Sequence, residues 1–243
     1  MSDGWLDIEN LSFGYTSRPL FHELNISVSA HLPIVGILGP SGIGKTSLLN
    51  LIAGFQIATE GKICVHGKTV EGPSASRPVV FQDHNLFPWK NVSKNIELGL
   101  RVKHLSKGDR HKKVINLLKA MGLTECALHY PRELSGGMQQ RVGLARAMAV
   151  SPQCILMDEP FSALDESTRK SVRGYFKSTL EENNTNAIIV THDAVEAMGL
   201  CDFLIVVDGL GNVRTVETKS IELTNLRNML SHSSLLNIEN DDT

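Results

Sequence analysis

The sequence predicts an α/β fold with a mainly parallel sheet, and three observations predict it. A short apolar run, Ile34–Leu38, leads into a glycine-rich turn and then a helical pattern over Lys45–Ala53. The last third alternates short apolar runs with helical patterns, as parallel strands joined by crossover helices do. Between these parts, residues 86–135 read as helix and turn, an insertion between stretches of sheet.

The elements follow in order. Residues 5–15 and 24–29 alternate loosely and predict strands, as does the run Ile34–Leu38. In Lys45–Ala53, Leu48, Leu49 and Ile52 share a helical face, and Gly54 stands where a helix-ending glycine belongs. Helices are expected over 91–102 and 108–121. In the second, Val114, Leu117, Leu118 and Met121 keep helical spacing and Gly122 ends it. Ser135 reads as the N-cap of a further helix running to residue 149. Strands are then expected at 155–157, 187–190 and 203–207, with helices at 166–182 and 194–200 between them. The polar, acidic stretch 231–243 is expected to fray. These readings give one domain over 1–230, with a core from 1–85 and 150–230 and a helical subdomain over 86–149.

Composition narrows the function. The 243 residues carry a formal net charge of -2, with no basic footprint for nucleic acid. No run of about eighteen apolar residues suits a membrane span, and the first residues lack a signal-peptide pattern. Cys64, Cys126, Cys154 and Cys201 are scattered without metal-type spacing, and Cys154 reads as core, which fits a reducing compartment.

Gly39-Pro40-Ser41-Gly42-Ile43-Gly44-Lys45-Thr46 fits G-x-x-x-x-G-K-[ST], between a predicted strand and helix as that motif requires. Glycines let successive backbone N–H groups converge on one anion. The helix start adds partial positive charge. Lys45 can reach β- and γ-phosphate oxygens, and the Thr46 hydroxyl can take a place on Mg²⁺. Ile43 is unusual, a β-branched residue in a turn that favours small ones. Residues 154–158 form an apolar run ending in Asp158, followed by Glu159. Asp158 is a candidate Mg²⁺ ligand and Glu159 a candidate general base for an attacking water.

Leu134-Ser135-Gly136-Gly137-Met138-Gln139-Gln140-Arg141 matches the signature of the ATP-binding cassette family. Average composition gives six such matches on the order of one in a million by chance. A serine and two glycines at a helix start form a second anion-binding turn, this one without a lysine. The resemblance covers residues 6–216. It implies a RecA-like P-loop core, an N-terminal antiparallel β subdomain and an inserted α-helical subdomain. It further implies a head-to-tail homodimer in which Ser135, Gly136, Gly137 and Gln139 of one copy meet ATP held by residues 39–46 and Ser47 of the other. Tyr15 resembles the family's adenine-stacking aromatic, and Gln82 the glutamine that senses Mg²⁺ and the attacking water. Asp165, in Ser162-Ala163-Leu164-Asp165, resembles the loop that crosses the dimer interface. His192 resembles the switch histidine at the γ-phosphate.

The segment Phe87-Pro88-Trp89 and the Tyr130-Pro131-Arg132-Glu133 turn are similar to import ATPases of the nitrate, sulfonate and taurine group. That likeness implies transmembrane permease subunits as partners and an extracytoplasmic solute-binding protein acting through them. It also implies a peripheral location on the cytoplasmic face of the inner membrane. An exporter or lipid-handling ATPase shares every motif except the Phe-Pro-Trp segment and stays open as the alternative. Trp89 itself reads equally as a packing residue or as part of a partner groove. The resemblance leads to the expectation that the chain lacks the large C-terminal regulatory domain of some sugar importers. The solute itself is not legible in these residues.

Overall fold

The structure, a computed structural model, describes residues 4–15, 18–83, 85–101 and 105–231. The chain divides into two compact units, Met1–Ser74 with Ile188–Thr243, and Ala75–Ala187. The first unit opens with β1 (Gly4–Tyr15), β2 (Arg18–Ser29), β3 (Ile34–Leu38), α1 (Lys45–Ala53), β4 (Glu60–Val65) and β5 (Lys68–Thr69). The second holds β6 (Val79–Val80), α2 (Val92–Arg101), α3 (Lys107–Ala120), α4 (Gly136–Ala149), β7 (Cys154–Asp158) and α5 (Glu166–Asn183). The chain returns to the first within β8 (Asn186–Thr191) and ends with α6 (Ala194–Leu200), β9 (Phe203–Val207), β10 (Val213–Glu217) and α7 (Leu223–Ser231).

The first unit contains an antiparallel sheet in the order β2-β1-β4-β5, with Ile8 opposite both Ile26 and Ile63. Beside it run the strands β10-β9-β3-β8, where β3 pairs parallel with β9 through Ile37 and Ile205. All five residues of β3 are buried, the pattern of a strand covered on both faces. α1 forms because Leu48, Leu49, Leu51 and Ile52 make one apolar stripe, and each is at most 1% exposed. Burying each such side chain stabilises the fold by about 1.5–3 kcal/mol. Gly54 stops the helix at φ 83°, its N–H donating to the carbonyls of Asn50 and Leu51.

In the second unit β6 pairs parallel with β7, Val80 opposite Met157. Ser106 caps α3 by accepting from the Asp109 N–H, and Arg141 Nη1 closes its other end on the carbonyls of Met121 and Gly122. Asn95 is fully buried and holds the 87–91 turn. Its Oδ1 accepts from the Phe87 N–H at 2.9 Å, and its amide donates to the carbonyls of Phe87, Lys90 and Asn91. That turn leaves Trp89 70% exposed, edge-on to Phe87 with ring centres 5.5 Å apart. Trp89 therefore does not serve the packing of the helical segment.

Every helix expected from the sequence is present within two residues of its predicted bounds; the one expected to reach Val102 is described to Arg101, because Val102 lies outside the described residues. The pattern missed β4, β5, β6, β10 and α7. β4 begins with three exposed residues and shows no apolar alternation. Its strand form comes from pairing with β1, a non-local partner. β10 is an exposed edge strand on β9. The expected frayed stretch lies outside the described residues beyond Ser231. The four cysteines carry free thiols, and burial pushes those of Cys126 and Cys154 above the usual range, which suits inert packing.

Candidate functional site

The first unit builds its site at the end of β3. A Cβ on Gly39 would lie 2.4 Å from the Val207 carbonyl oxygen, so the neighbouring strand end admits only glycine there. Gly42 and Gly44 have φ of 76° and 109°, a region L-residues avoid. These angles curl residues 39–46 into a turn that opens α1. The N-cap is Gly44, without a side-chain cap, and the first turn contains no acidic residue. The positive end of α1 is thus free of any carboxylate of its own first turn, the condition for holding an external anion. Ser41, Gly42 and Thr46 are exposed, and Pro40 is half-buried. Ile43, the odd residue of the motif, turns inward and is 7% exposed.

Lys45 is only 6% exposed. A buried ammonium must be compensated. Its Nζ donates to the Gly39 carbonyl at 2.8 Å and the Pro40 carbonyl at 2.6 Å, which holds the cation inside the turn. Tyr15, at the end of β1, is 54% exposed. Its hydroxyl shares a hydrogen bond with Ser47 Oγ at 3.2 Å and accepts from Gln56 Nε2 at 2.9 Å. These bonds, Ser47 first, hold its pKa below the usual phenol value. They also tie an exposed ring to the first turn of α1.

His192 follows β8, the strand beside β3. Its imidazole is exposed, but its neighbours are fixed. Thr191 is buried and donates to Glu196 Oε2 at 2.5 Å while accepting from the Asp193 N–H. Asp193 caps α6 by accepting from the N–H groups of Val195 and Glu196.

The second unit presents a carboxylate pair and another helix start. β7 is wholly buried and ends in Asp158, 8% exposed. Glu159 adopts φ 47°, left-handed and costly for a residue with a side chain. Its carbonyl accepts from Gln140 Nε2 at 3.0 Å, Ser162 Oγ at 3.0 Å and the Ser162 N–H at 3.3 Å. Beyond it, Phe161 is fully buried against Phe176, with the Arg173 guanidinium 5.3 Å from its ring centre. Asp165 caps α5, accepting from the Thr168 N–H at 3.0 Å and Ser167 Oγ at 2.7 Å. These bonds, Thr168 first, hold its carboxyl well below the usual carboxylate range. Gln82 is exposed, two residues past β6.

α4 starts at Ser135, whose Oγ accepts from the Met138 N–H at 3.3 Å. Ser135 and Gly136 are exposed, and a Cβ on Gly136 would meet nothing within 4 Å. Gly137 faces inward, where a Cβ would lie 2.8 Å from the Ala163 carbonyl oxygen. Gln139 donates to the carbonyls of Pro131 and Leu134, so its amide holds the turn before the helix. Gln140 is the residue that motif reading passed over. It is 2% exposed, and no spacing in the sequence distinguishes it from Gln139.

Tyr15, residues 39–47 and His192 thus belong to the first unit. Gln82, Ser135, Gly136, Gly137, Gln139, Asp158, Glu159 and Asp165 belong to the second. No described helix is long and apolar enough to cross a membrane.

Residues 21–162 match the ABC transporter family model. A taurine import ATP-binding protein of Shigella dysenteriae is 41% identical over 209 residues, covering 86% of this chain and 82% of that protein. Its counterpart in Pseudomonas aeruginosa is 42% identical over 192 residues, covering 79% and 73%. Among solved structures, the dimeric, post-hydrolysis ATP-binding cassette MJ0796 bound to ADP and Pi superposes with a TM-score of 0.77 at 29% identity, covering 88% of this chain and 98% of that one. CbiO1 of Clostridium perfringens shares the fold, with a TM-score of 0.79 at 24% identity and 98% coverage of both. With that family matched over more than half its length, the chain belongs to the ABC transporter family, as one of its ATP-binding, ATP-hydrolysing subunits.

Proposed function

We propose that this subunit energises the import of a small solute of the taurine, sulfonate or nitrate kind. Two copies act on the cytoplasmic face of the inner membrane, docked on permease subunits that receive solute from an extracytoplasmic binding protein. The observation that carries this reading is the pair of unlike helix starts. α1 has a buried lysine and no carboxylate in its first turn, whereas the start of α4 is exposed and lysine-free. The 41% identity to taurine import ATP-binding proteins supports the solute class, and the dimeric MJ0796 relative supports the pairing of two copies. The core over 1–85 and 150–230 and the helical subdomain over 86–149 are the corresponding functional division.

Each residue has a role in this reading. Tyr15 offers its exposed ring to adenine. Gly39, Pro40, Ser41, Gly42, Ile43, Gly44 and Ser47 shape and support the turn that receives the phosphates. Lys45 donates to the β- and γ-phosphate oxygens. Ser135, Gly136 and Gly137 present neutral donors to the nucleotide of the second copy. Gln139 holds their turn, and Asp165 holds the loop at the copy-to-copy boundary. Glu159 takes the proton of the attacking water, while Gln82 and His192 orient that water and sense the γ-phosphate.

The donor set suits Mg²⁺. Thr46, whose side chain is exposed, and Asp158, which is buried, would supply hard oxygen ligands, and Gln82 would add an amide oxygen. Among the described residues no group of three or more His, Cys, Asp or Glu could hold a metal ion. When bound, Mg²⁺ neutralises developing charge on the phosphate oxygens.

Glu159→Gln tests the reading. The variant is expected to bind ATP with unchanged affinity and to lose hydrolysis by about 100-fold or more. Normal turnover in that variant would remove Glu159 from the mechanism. Taurine-stimulated ATPase activity of the subunit purified with its permease, against nitrate and other sulfonates, tests the solute class.

A further inference from the structure

We infer that Gln140 is a positioning residue for hydrolysis, acting through the backbone of Glu159. The inference rests on the proposed role of Glu159 as general base. Gln140 sits one turn into α4 with its side chain buried, and both ends of its amide are committed to a single loop. Nε2 donates to the Glu159 carbonyl at 3.0 Å, and Oε1 accepts from the Ala163 N–H at 3.2 Å. Nε2 also lies 3.5 Å from Ser162 Oγ, which donates to the same Glu159 carbonyl.

The bonded residue is itself unusual. Glu159 holds φ 47° with a full side chain, a conformation that persists only when its surroundings over-determine it. Three donors on one carbonyl supply that constraint, two from Ser162 and one from Gln140. The backbone angles of a residue set where its Cβ points, so whatever fixes φ also aims the carboxylate. Gln140 is the one donor of the three that comes from outside the loop. It anchors the loop to α4, whose exposed start at Ser135 carries the signature turn. Gly137 adds a steric contact between the same partners, because any Cβ there would meet the Ala163 carbonyl oxygen at 2.8 Å. Without Gln140, the loop loses the bond that ties the Glu159 carbonyl to α4, and the constraint on φ at Glu159 weakens.

Isosteric substitutions separate the two ends of the amide. Gln140→Glu keeps an acceptor for Ala163 and removes the donor to Glu159. Gln140→Leu removes both. Each is expected to lower kcat by about 10- to 100-fold, the scale for misplacing a catalytic group by about an ångström. KM and the Kd for MgATP should stay within about twofold, because the phosphate turn is untouched. In a Glu159→Gln background, Gln140→Leu should lower the residual rate no further, since its effect passes through the missing base.

Three results would overturn the inference. The first is unchanged kcat in both variants. The second is a loss from Gln140→Leu that multiplies fully with that of Glu159→Gln, which would place its action elsewhere while leaving the base assignment intact. The third is retention of activity by Gln140→Glu alone, which would assign the effect to Ala163 rather than Glu159. If the Gln140 variants do not fold, Ser162→Ala decides. It removes a donor from the same carbonyl at an exposed position. It should lower kcat by about 2- to 5-fold at constant KM in the wild-type background and not at all with Glu159→Gln. An unchanged kcat in Ser162→Ala would refute the positioning of Glu159 through its carbonyl.

Discussion

The two helix starts at Gly44 and Ser135 use one physical device for different ends. Both open a helix from a glycine-bearing turn and direct backbone N–H groups outward. At α1 the cap residue has no side chain and the first turn has no acid, while Lys45 is buried and compensated by the turn's own carbonyls. At α4 the Ser135 hydroxyl already satisfies the Met138 N–H, and the flanking Gly136 opens onto free space. The first turn therefore brings its own cation to an anion. The second has only neutral donors on an exposed surface, which the proposed function offers to an anion carried by another molecule. In the proposed function, a difference of one buried lysine separates a binding site from half of one.

The largest expected effect tests the cation. Lys45→Met should lower ATP affinity and hydrolysis by about two orders of magnitude or more, read by nucleotide titration and steady-state ATPase assay. Circular dichroism should show the helices retained. Equal ATP affinity in the variant would break the distinction between the two turns.

Next comes the geometry of the glycines. Gly39→Ala places a methyl 2.4 Å from a backbone carbonyl oxygen, whereas Gly136→Ala meets nothing within 4 Å. Chemical denaturation should show the first losing about 2 kcal/mol or more and the second changing by about 0.5 kcal/mol or less. A comparable loss at both positions would mean that the α4 start is packed rather than open.

Ser135 sharpens the contrast further. Ser135→Ala removes the cap and should cost about 1 kcal/mol of stability. Ser135→Asp retains a capping oxygen and should hold stability near the wild type, yet it sets a carboxylate where a second copy's phosphate is proposed to approach. ATP-dependent dimerisation of the Glu159→Gln subunit, measured by gel filtration, should persist with Ser135→Ala and fail with Ser135→Asp. Dimerisation of the aspartate variant would remove Ser135 from the nucleotide boundary.

The smallest effect concerns a third helix start, that of α5, whose cap carries charge. The folded pKa of Asp165 lies below its unfolded value near 3.9. Its contribution to stability is therefore complete above about pH 4 and fades as pH falls through the lower folded value. Asp165→Asn keeps the cap and removes the charge. Its Tm should fall less steeply than that of the wild type in acid and match it near neutrality.

Much of this was legible in the residues because local rules carried it. The Gly39–Thr46 spacing, the apolar stripe of α1 and the cap at Ser135 are short-range features, and the structure reproduces their bounds. Other parts were not legible because distant partners decide them. β4 is a strand through its pairing with β1. Gln139 and Gln140 are adjacent and chemically identical, yet one holds the turn before its helix and the other reaches a loop some twenty residues on. Trp89, equally suited in sequence to a core or a surface, is exposed because Asn95 fixes the turn that carries it.

The sequence by itself determined the helices from α1 to α6, the glycine-rich turn, the carboxylate pair and the membership of the family. Each depends on residues within a few positions of one another. Only the tertiary structure decided that Lys45 is buried on its own loop's carbonyls, that Glu159 adopts a left-handed conformation, and that Gln140 of α4 donates to its carbonyl. Those facts depend on which groups meet across many residues of chain, and burial and hydrogen-bond satisfaction are settled only when the whole fold closes around them.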